Sequence, residues 1–443
     1  MAIFDADHVP TRDFLVNTVG LMLEDPKLAF VQTPHFMINR DPVEKNLGMG
    51  PEVPSEGEMF YTVTLRGMDF WRAGFFCGSG ALMRRKALED VGGIRTETIV
   101  EDADTSMEML SRGWHTAYLH RPMLAGLAPE SLDAFFIQRT RWARGMIQLL
   151  KLRHPLFRAG MTLPQRLAYF NCVWYWMFSL AFFVFLTMPV ISLLFGVKIF
   201  AVPPLEILLY LVPHLAAIFI VGNALYGRVR WPFVSEIYET LLAFFLPRHV
   251  IAVWFRPRKA AFQVTPKGEV LEQDRSAKMS VPVFVFVLVQ IVASAVGVYL
   301  VRVEEWGAQA YLTSLVWNVY NLLFTLAVLG VLFERKQQRF RPRVPIYDIA
   351  QVKLGNKNVP CEIVDMNEHG ALLRLPSWVD EVRQGSGELR LSKPGARGGS
   401  LTTVMRFQCK VPFSIIRQRV VSTDGEESLE IGVRFEEMDM ESR

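Results

Sequence analysis

Four groups of side chains along this chain are suited to phosphate and sugar chemistry. Asp5-Ala6-Asp7 follows the apolar run 1–4, and alternate carboxylates at a strand end offer hard oxygen ligands to Mg2+ or Mn2+ bridging a diphosphate. Asp102, in the acid-rich stretch 96–105, can take a proton from an attacking sugar hydroxyl if it stays ionised within hydrogen-bond reach. Gln138, Arg141 and Trp142 recur at i, i+3 and i+4 of a helical run, where Arg clamps phosphate oxygens, Gln hydrogen-bonds, and an indole stacks on a sugar face. Arg339 and Arg343 are spaced to grip phosphates. Each group has a plainer alternative when taken alone: a solvated acidic loop, acids in a helix first turn, an interfacial Arg–Trp anchor, and a positive flank of an apolar span.

The elements that must hold these groups are partly aqueous and partly membrane-embedded. The 443 residues are 51% hydrophobic yet 21% charged, too apolar for one ordinary soluble domain. A net charge of +4 excludes a nucleic-acid coating protein, and four cysteines without a CxxC pair indicate neither a disulfide framework nor a zinc site. Residues 1–130 alternate short β-rich runs (28–36, 75–83, 116–124) with helical runs (85–93, 105–114), the pattern of an α/β or α+β domain. Residues 131–160 hold an amphipathic interface helix whose stripe is Leu132, Phe135, Phe136, Ala143, Met146, Ile147 and Leu150, with Gln138, Arg141, Arg144 and Gln148 opposite. Arg139 falls inside the apolar stripe.

The region 161–334 contains four apolar stretches of bilayer length, at about 168–195, 205–226, 281–301 and 310–333. Glu206, Pro213 and His214 in the second are expected to face protein, a wet cavity or the interface. Basic clusters around Lys151–Arg166, Arg228–Lys259 and Arg335–Arg343 all fall on one side of a four-span path, which makes that side cytoplasmic. A single interfacial helix is expected at about 231–255, followed by a loop at about 256–275. Residues 335–443 turn to short alternating strands, a small β-barrel or sandwich.

In order, FDADH (4–8), QTPHF (32–36), FFCGS (75–79), VED (100–102), QRTRW (138–142) and FQVTPK (262–267) resemble the processive family 2 glycosyltransferases, most closely the bacterial cellulose synthase catalytic subunits. The resemblance implies a GT-A-like α/β glycosyltransferase region represented by its C-terminal half, an α-helical transmembrane channel, and a small C-terminal PilZ β-barrel. It implies Asp5 and Asp7 as metal ligands, Asp102 as general base, and Cys77 as a pocket-lining thiol near the acceptor. Gln138 and Arg141 would lie by the diphosphate, Trp142 under the terminal sugar, and Phe262, Val264, Thr265 and Lys267 on a loop that closes over the donor. Val100 stands where the family has Thr.

Arg339 and Arg343 match the RxxxR motif of PilZ domains, and Asp365, Asn367 and Gly370 resemble its [D/N]xSxxG, with Asn367 in place of Ser. The resemblance therefore implies cyclic di-GMP as activator, with Glu130 and Arg339 as an inhibitory latch. It also implies UDP-glucose as donor, a β-1,4-glucan product exported across the bacterial inner membrane, a membrane-anchored periplasmic subunit as partner, and no nucleic acid. The family has further strands and membrane helices upstream of the DxD strand, so this chain is expected to be a fragment with exposed edges on a parallel sheet, or a split subunit. Two other functions remain open: a β-glycan synthase using another UDP-sugar, and a non-catalytic membrane-bound cyclic di-GMP receptor.

Overall fold

The computed structural model describes residues 1–50, 52–199, 204–259, 265–266, 271, 273–304, 308–336, 344–355, 357–367, 369–376, 378–379, 385–392, 407–423 and 426–436. Phe262, Val264, Lys267, Arg339 and Arg343 lie outside the described residues. The chain divides into two compact units, Met1–Gln337 and Gln338–Arg443.

The first unit opens with β1 (Ala2–Ile3), β2 (Val9–Pro10), α1 (Phe14–Glu24), β3 (Leu28–Gln32), β4 (Phe36–Met37) and α2 (Pro42–Leu47). It continues through α3 (Leu65–Phe70), β5 (Ala81–Met83), α4 (Arg85–Asp90), α5 (Glu101–Ser111), β6 (His115–Tyr118) and β7 (Leu124–Gly126). The apolar run of β3 is buried at every position, so it takes an interior place in the sheet β1-β5-β3-β6. Within this sheet only β3 and β6 pair in parallel; β5 runs back against β3, and β1 pairs antiparallel on the far side of β5. The sheet is therefore mixed, which corrects the expectation of a parallel one.

The helix expected at 131–150 is α6 (Leu132–Arg153), with the Ser131 hydroxyl accepting the Ala134 N–H at 3.2 Å as an N-cap. It is less amphipathic than its pattern suggests. Leu132, Phe135, Phe136, Ala143 and Ile147 join one apolar cluster, whereas Leu149 and Leu150 join another with Val100, Met107 and Tyr169. Gln148, assigned above to the polar face, is buried. Arg139 is accommodated in the stripe because it pairs with Glu56 while its guanidinium lies over the Phe135 and Trp142 rings, at 4.8 and 4.5 Å from their centroids.

Next come α7 (Leu163–Trp174) and α8 (Phe178–Phe195), joined by a 3-10 turn into one path, then α9 (Pro204–Tyr226), α10 (Val234–Phe245), α11 (Pro247–Phe255), β8 (Arg275–Ser276), α12 (Ser280–Val303), α13 (Ala308–Val331) and β9 (Phe333–Glu334). Among the described residues four helical paths, Leu163–Phe195, Leu208–Tyr226, Ser280–Val303 and Ala308–Val331, are each long and apolar enough to cross a membrane. The first starts before residue 168 because α7 runs almost directly into α8. Polar groups join α8, α12 and α13: Ser192 to Ser314 at 2.8 Å, Asn318 Nδ2 to the Gln290 carbonyl at 2.8 Å, and Asn321 Nδ2 to the Phe185 carbonyl at 2.8 Å. Glu206, Pro213 and His214 on α9 are exposed, so nothing among the described residues shields them.

The single interfacial helix expected at 231–255 is two, α10 and α11, bent by 54°. Pro247 lacks the N–H that would continue the ladder and opens α11 instead. The second unit is a closed six-stranded barrel: β10 (Val344–Leu354), β11 (Lys357–Asn367), β12 (Gly370–Leu375), β13 (Ser386–Ser392), β14 (Phe407–Thr423) and β15 (Glu426–Phe435), in the order β10-β11-β12-β15-β14-β13. Its interior is filled by side chains including Val352, Ile363, Leu373, Leu389, Phe413 and Ile431.

Candidate active site

The loop 75–79 is the hub that joins three of the sequence motifs. Buried Ser79 accepts the Asp5 N–H at its hydroxyl, 2.9 Å away, and the same oxygen lies 2.7 Å from His8 Nδ1. The Ser79 carbonyl lies 2.7 Å from Gln32 Nε2 and 2.9 Å from His35 Nε2, while Gln32 Oε1 accepts the Cys77 N–H at 2.9 Å. The His8 and His35 rings meet edge to face at 5.1 Å, and His35 lies 5.2 Å from Tyr61. None of His8, Gln32, His35, Tyr61 and Ser79 was picked from the sequence as a site residue, although four of them lie inside the quoted motifs. Their pairing spans up to 71 positions, a relation that spacing does not reveal.

Asp5 and Asp7 are exposed, and ligand atoms of Asp5, Asp7 and His8 lie within 4.8 Å of one another. Opposite oxygens around Mg2+ stand about 4.2 Å apart, so two carboxylates and an imidazole at this spacing fit a divalent cation with positions left for a diphosphate.

Asp102 stands in the first turn of α5, where its Oδ1 accepts its neighbour Ala103's N–H at 2.8 Å. Ser106 ties this turn to the hub, donating to the Asp102 carbonyl at 2.7 Å and accepting the Phe76 N–H at 2.8 Å. Gly78 has φ +84°, a conformation that disfavours side chains, and a Cβ there would lie 3.5 Å from Asp102 Oδ2. Backbone and carboxylate are therefore neighbours. Burial, reinforced by the adjacent Glu101, pushes the Asp102 carboxyl up to about 7, against the pull of the Ala103 N–H and Arg141. Such a carboxyl is poised to exchange a proton near neutral pH. Burial also raises the Cys77 thiol well above its ordinary range, so it is neutral.

Gln138, Arg141 and Trp142 are half-buried on α6, and Arg141 is close enough for its charge to act on Asp102. Arg139 occupies one face of the Trp142 ring. Val100, the departure from the Thr of the resembled motif, is a packing residue: it is buried against α6 at Gly145, where a Cβ would come within 2.4 Å of Val100 Cγ1. Thr265 is buried and its hydroxyl has no partner among the described residues. Glu130 precedes α6, and its carbonyl accepts Lys45 Nζ at 3.0 Å.

In the barrel, the Asn367 side-chain oxygen accepts the His369 and Gly370 N–H groups, each at 3.0 Å, closing the turn between β11 and β12. An amide thus fulfils a turn-closing task open to a hydroxyl. Val344 pairs with Met366 and Pro345 with Asp365, so the strand that follows Arg343 enters the barrel beside this turn.

Comparison with known proteins agrees with both units. Residues 1–224 match the family model described as glycosyl transferase family group 2, and residues 335–443 match the PilZ domain. The chain is 41% identical over 346 residues to a UDP-forming cellulose synthase catalytic subunit of Pseudomonas fluorescens, covering 78% of this chain and 47% of that protein. It is 37% identical over 423 residues to cellulose synthase 1 of Komagataeibacter xylinus, covering 95% of this chain and 26% of that protein. It is 39% identical over 346 residues to a cellulose synthase 1 catalytic subunit of the same organism, covering 77% and 46%. The chain thus spans about half or less of the length of these relatives. It belongs to glycosyl transferase family group 2, as a homologue of bacterial cellulose synthase catalytic subunits that carries a PilZ domain.

Proposed function

We propose that this chain carries the acceptor-activating and channel-forming parts of a processive, inverting glycosyltransferase. It adds glucose from UDP-glucose to the 4-hydroxyl of a growing β-1,4-glucan and exports the polymer across the bacterial inner membrane, with both aqueous units cytoplasmic. The observation that carries the reading is the convergence of Asp102, the 75–79 hub and Arg141, with the Asp5–Asp7–His8 cluster fastened to the same hub.

Asp102 takes the proton from the attacking hydroxyl as that oxygen bonds to the anomeric carbon and the bond to UDP breaks. Asp5 and Asp7, with His8 beside them, would hold Mg2+ or Mn2+, which supplies charge neutralisation for the departing diphosphate. Arg141 and Gln138 bind the diphosphate and acceptor, Trp142 stacks on the terminal sugar with the ring face that Arg139 leaves open, and Cys77 lines the pocket. Phe262, Val264, Thr265 and Lys267 contact the donor and exclude water.

Cyclic di-GMP is the activator, gripped by Arg339 and Arg343 with Asp365, Asn367 and Gly370 on the barrel. Glu130 and Arg339 form a latch that this ligand releases. A membrane-anchored periplasmic subunit receives the glucan.

Membranes from source cells, supplied with cyclic di-GMP and either radiolabelled UDP-glucose or radiolabelled UDP-N-acetylglucosamine, each against the other unlabelled, test the reading. Cellulase-sensitive product unaffected by the competitor is expected. Incorporation of the N-acetyl sugar instead would assign a different β-glycan, and binding of cyclic di-GMP without any sugar transfer would assign a receptor.

A further inference from the structure

The turn that carries Asp102 meets one face of α6 at Gly145 and Gln148, and Arg141 on the same face acts on it by its charge. Arg141, Gly145 and Gln148 are spaced by four and three residues, so they share a face over about 10.5 Å of helix. Arg141 acts on the Asp102 carboxylate by its charge, Val100 packs against the bare backbone at Gly145, and Gln148 Oε1 accepts the Ile99 N–H at 2.9 Å. The Gln148 amide is buried, and its other end is also engaged: Nε2 donates to the Pro257 carbonyl at 2.9 Å. Pro257 opens the turn Pro257–Lys259 that follows α11, eight residues before Thr265 in the sequence. One side chain thus satisfies a backbone donor of the base-bearing turn and a backbone acceptor at the start of the 256–275 segment. Both polar atoms of the amide are used, which also fixes its orientation.

We infer that Gln148 is a positioning residue that holds the Asp102 turn and the Pro257 stem in register with the Gln138–Trp142 motif. The inference rests on the reading of Asp102 as general base. Its consequence is that the two ends of one amide govern different kinetic quantities. The Ile99 end sets the distance of Asp102 from Arg141 and thereby the turnover step. The Pro257 end fixes the turn that follows α11, next in sequence to the residues assigned above to the donor, and thereby the affinity for the donor.

Two substitutions separate these roles in membranes from source cells altered at the native locus. Gln148→Met keeps length and volume but removes both hydrogen bonds. It should lower kcat about tenfold, the loss of roughly one buried hydrogen bond, raise KM for UDP-glucose, and displace the acidic limb of the pH–rate profile. Gln148→Glu at pH 8 keeps the acceptor for Ile99 but has no donor for Pro257. It should raise KM for UDP-glucose and recover most of the kcat lost in Gln148→Met at that pH. Unmodified membranes and Asp102→Asn membranes run in parallel. Failure of the former to incorporate glucose, or activity in the latter, overturns the reading of the base. If both controls behave as proposed, the inference is overturned by a Gln148→Met variant with wild-type kcat, KM and pH profile, or by Met and Glu variants with identical defects at equal membrane abundance.

Discussion

With Asp102 as the proposed general base, its raised carboxyl makes the pH dependence of sugar transfer a consequence of local structure. With a pKa of about 7, Asp102 is ionised in about a tenth of molecules at pH 6 and about nine-tenths at pH 8, so the initial rate should rise about tenfold across that interval. An ordinary carboxylate near 3.8 would give a flat profile there. Burial is the main cause of the shift and Glu101 the next, so Glu101→Gln should move the acidic limb to lower pH. The same shift has a stability consequence. The folded state holds this proton more tightly than the unfolded chain, so stability is lost as pH rises from about 3.8 through about 7. That interval corresponds to up to about 4 kcal/mol against the ionised form. Asp102→Asn keeps an acceptor for the Ala103 N–H and removes the charge, and should therefore raise the thermal midpoint at pH 8 while removing the proposed base. Initial rates of UDP release in membrane vesicles, with thermal unfolding of the same preparations, read both effects. Equal wild-type rates at pH 6 and pH 8, a Glu101→Gln limb that stays in place or moves upward, or a less stable Asp102→Asn variant would each refute the reasoning.

Chelation of divalent cations should abolish sugar transfer, and Mg2+ or Mn2+ should restore it; Asp7→Asn should raise the cation concentration needed for half-maximal rate, and an unchanged cation requirement would remove Asp7 from the proposed cluster. Gly145→Ala should destabilise the first unit by about 1–3 kcal/mol, because the added methyl meets Val100 at 2.4 Å; a thermal midpoint equal to wild type contradicts that packing. Arg139→Met should cost about 3 kcal/mol by leaving the Glu56 carboxylate without its cation, and adding Glu56→Gln should recover most of the loss. Additive losses in the double variant would show that the pair is not coupled.

Much of this architecture is legible in local patterns, and the departures have local causes. The spans at 281–301 and 310–333 were visible because length and apolar content alone define a crossing, and their helices are Ser280–Val303 and Ala308–Val331. The α10–α11 bend was missed although Pro247 was in plain view, because the surrounding apolar content masked one missing N–H. The strand β10 was not anticipated, since Pro345 and a register shift before Asp348 break its alternation. The open choice between barrel and sandwich closed as a barrel, a matter of β10 pairing with both β11 and β13 that no single segment reveals. At the site, Asp5, Asp7, Asp102 and Arg141 stand out as motif residues. Ser79, Ser106 and Gln148 act through backbone groups distant in sequence, so residue type alone gives no signal for them.

The central claim is that Asp102 drives glucan synthesis in a chain that separately binds cyclic di-GMP. The most direct measurement is incorporation of UDP-glucose into cellulase-sensitive polymer by source-cell membranes carrying Asp102→Asn at the native locus, with cyclic di-GMP binding measured on the same chain. Synthesis should be lost while nucleotide binding matches wild type. Wild-type polymer yield from the Asn variant would contradict the account.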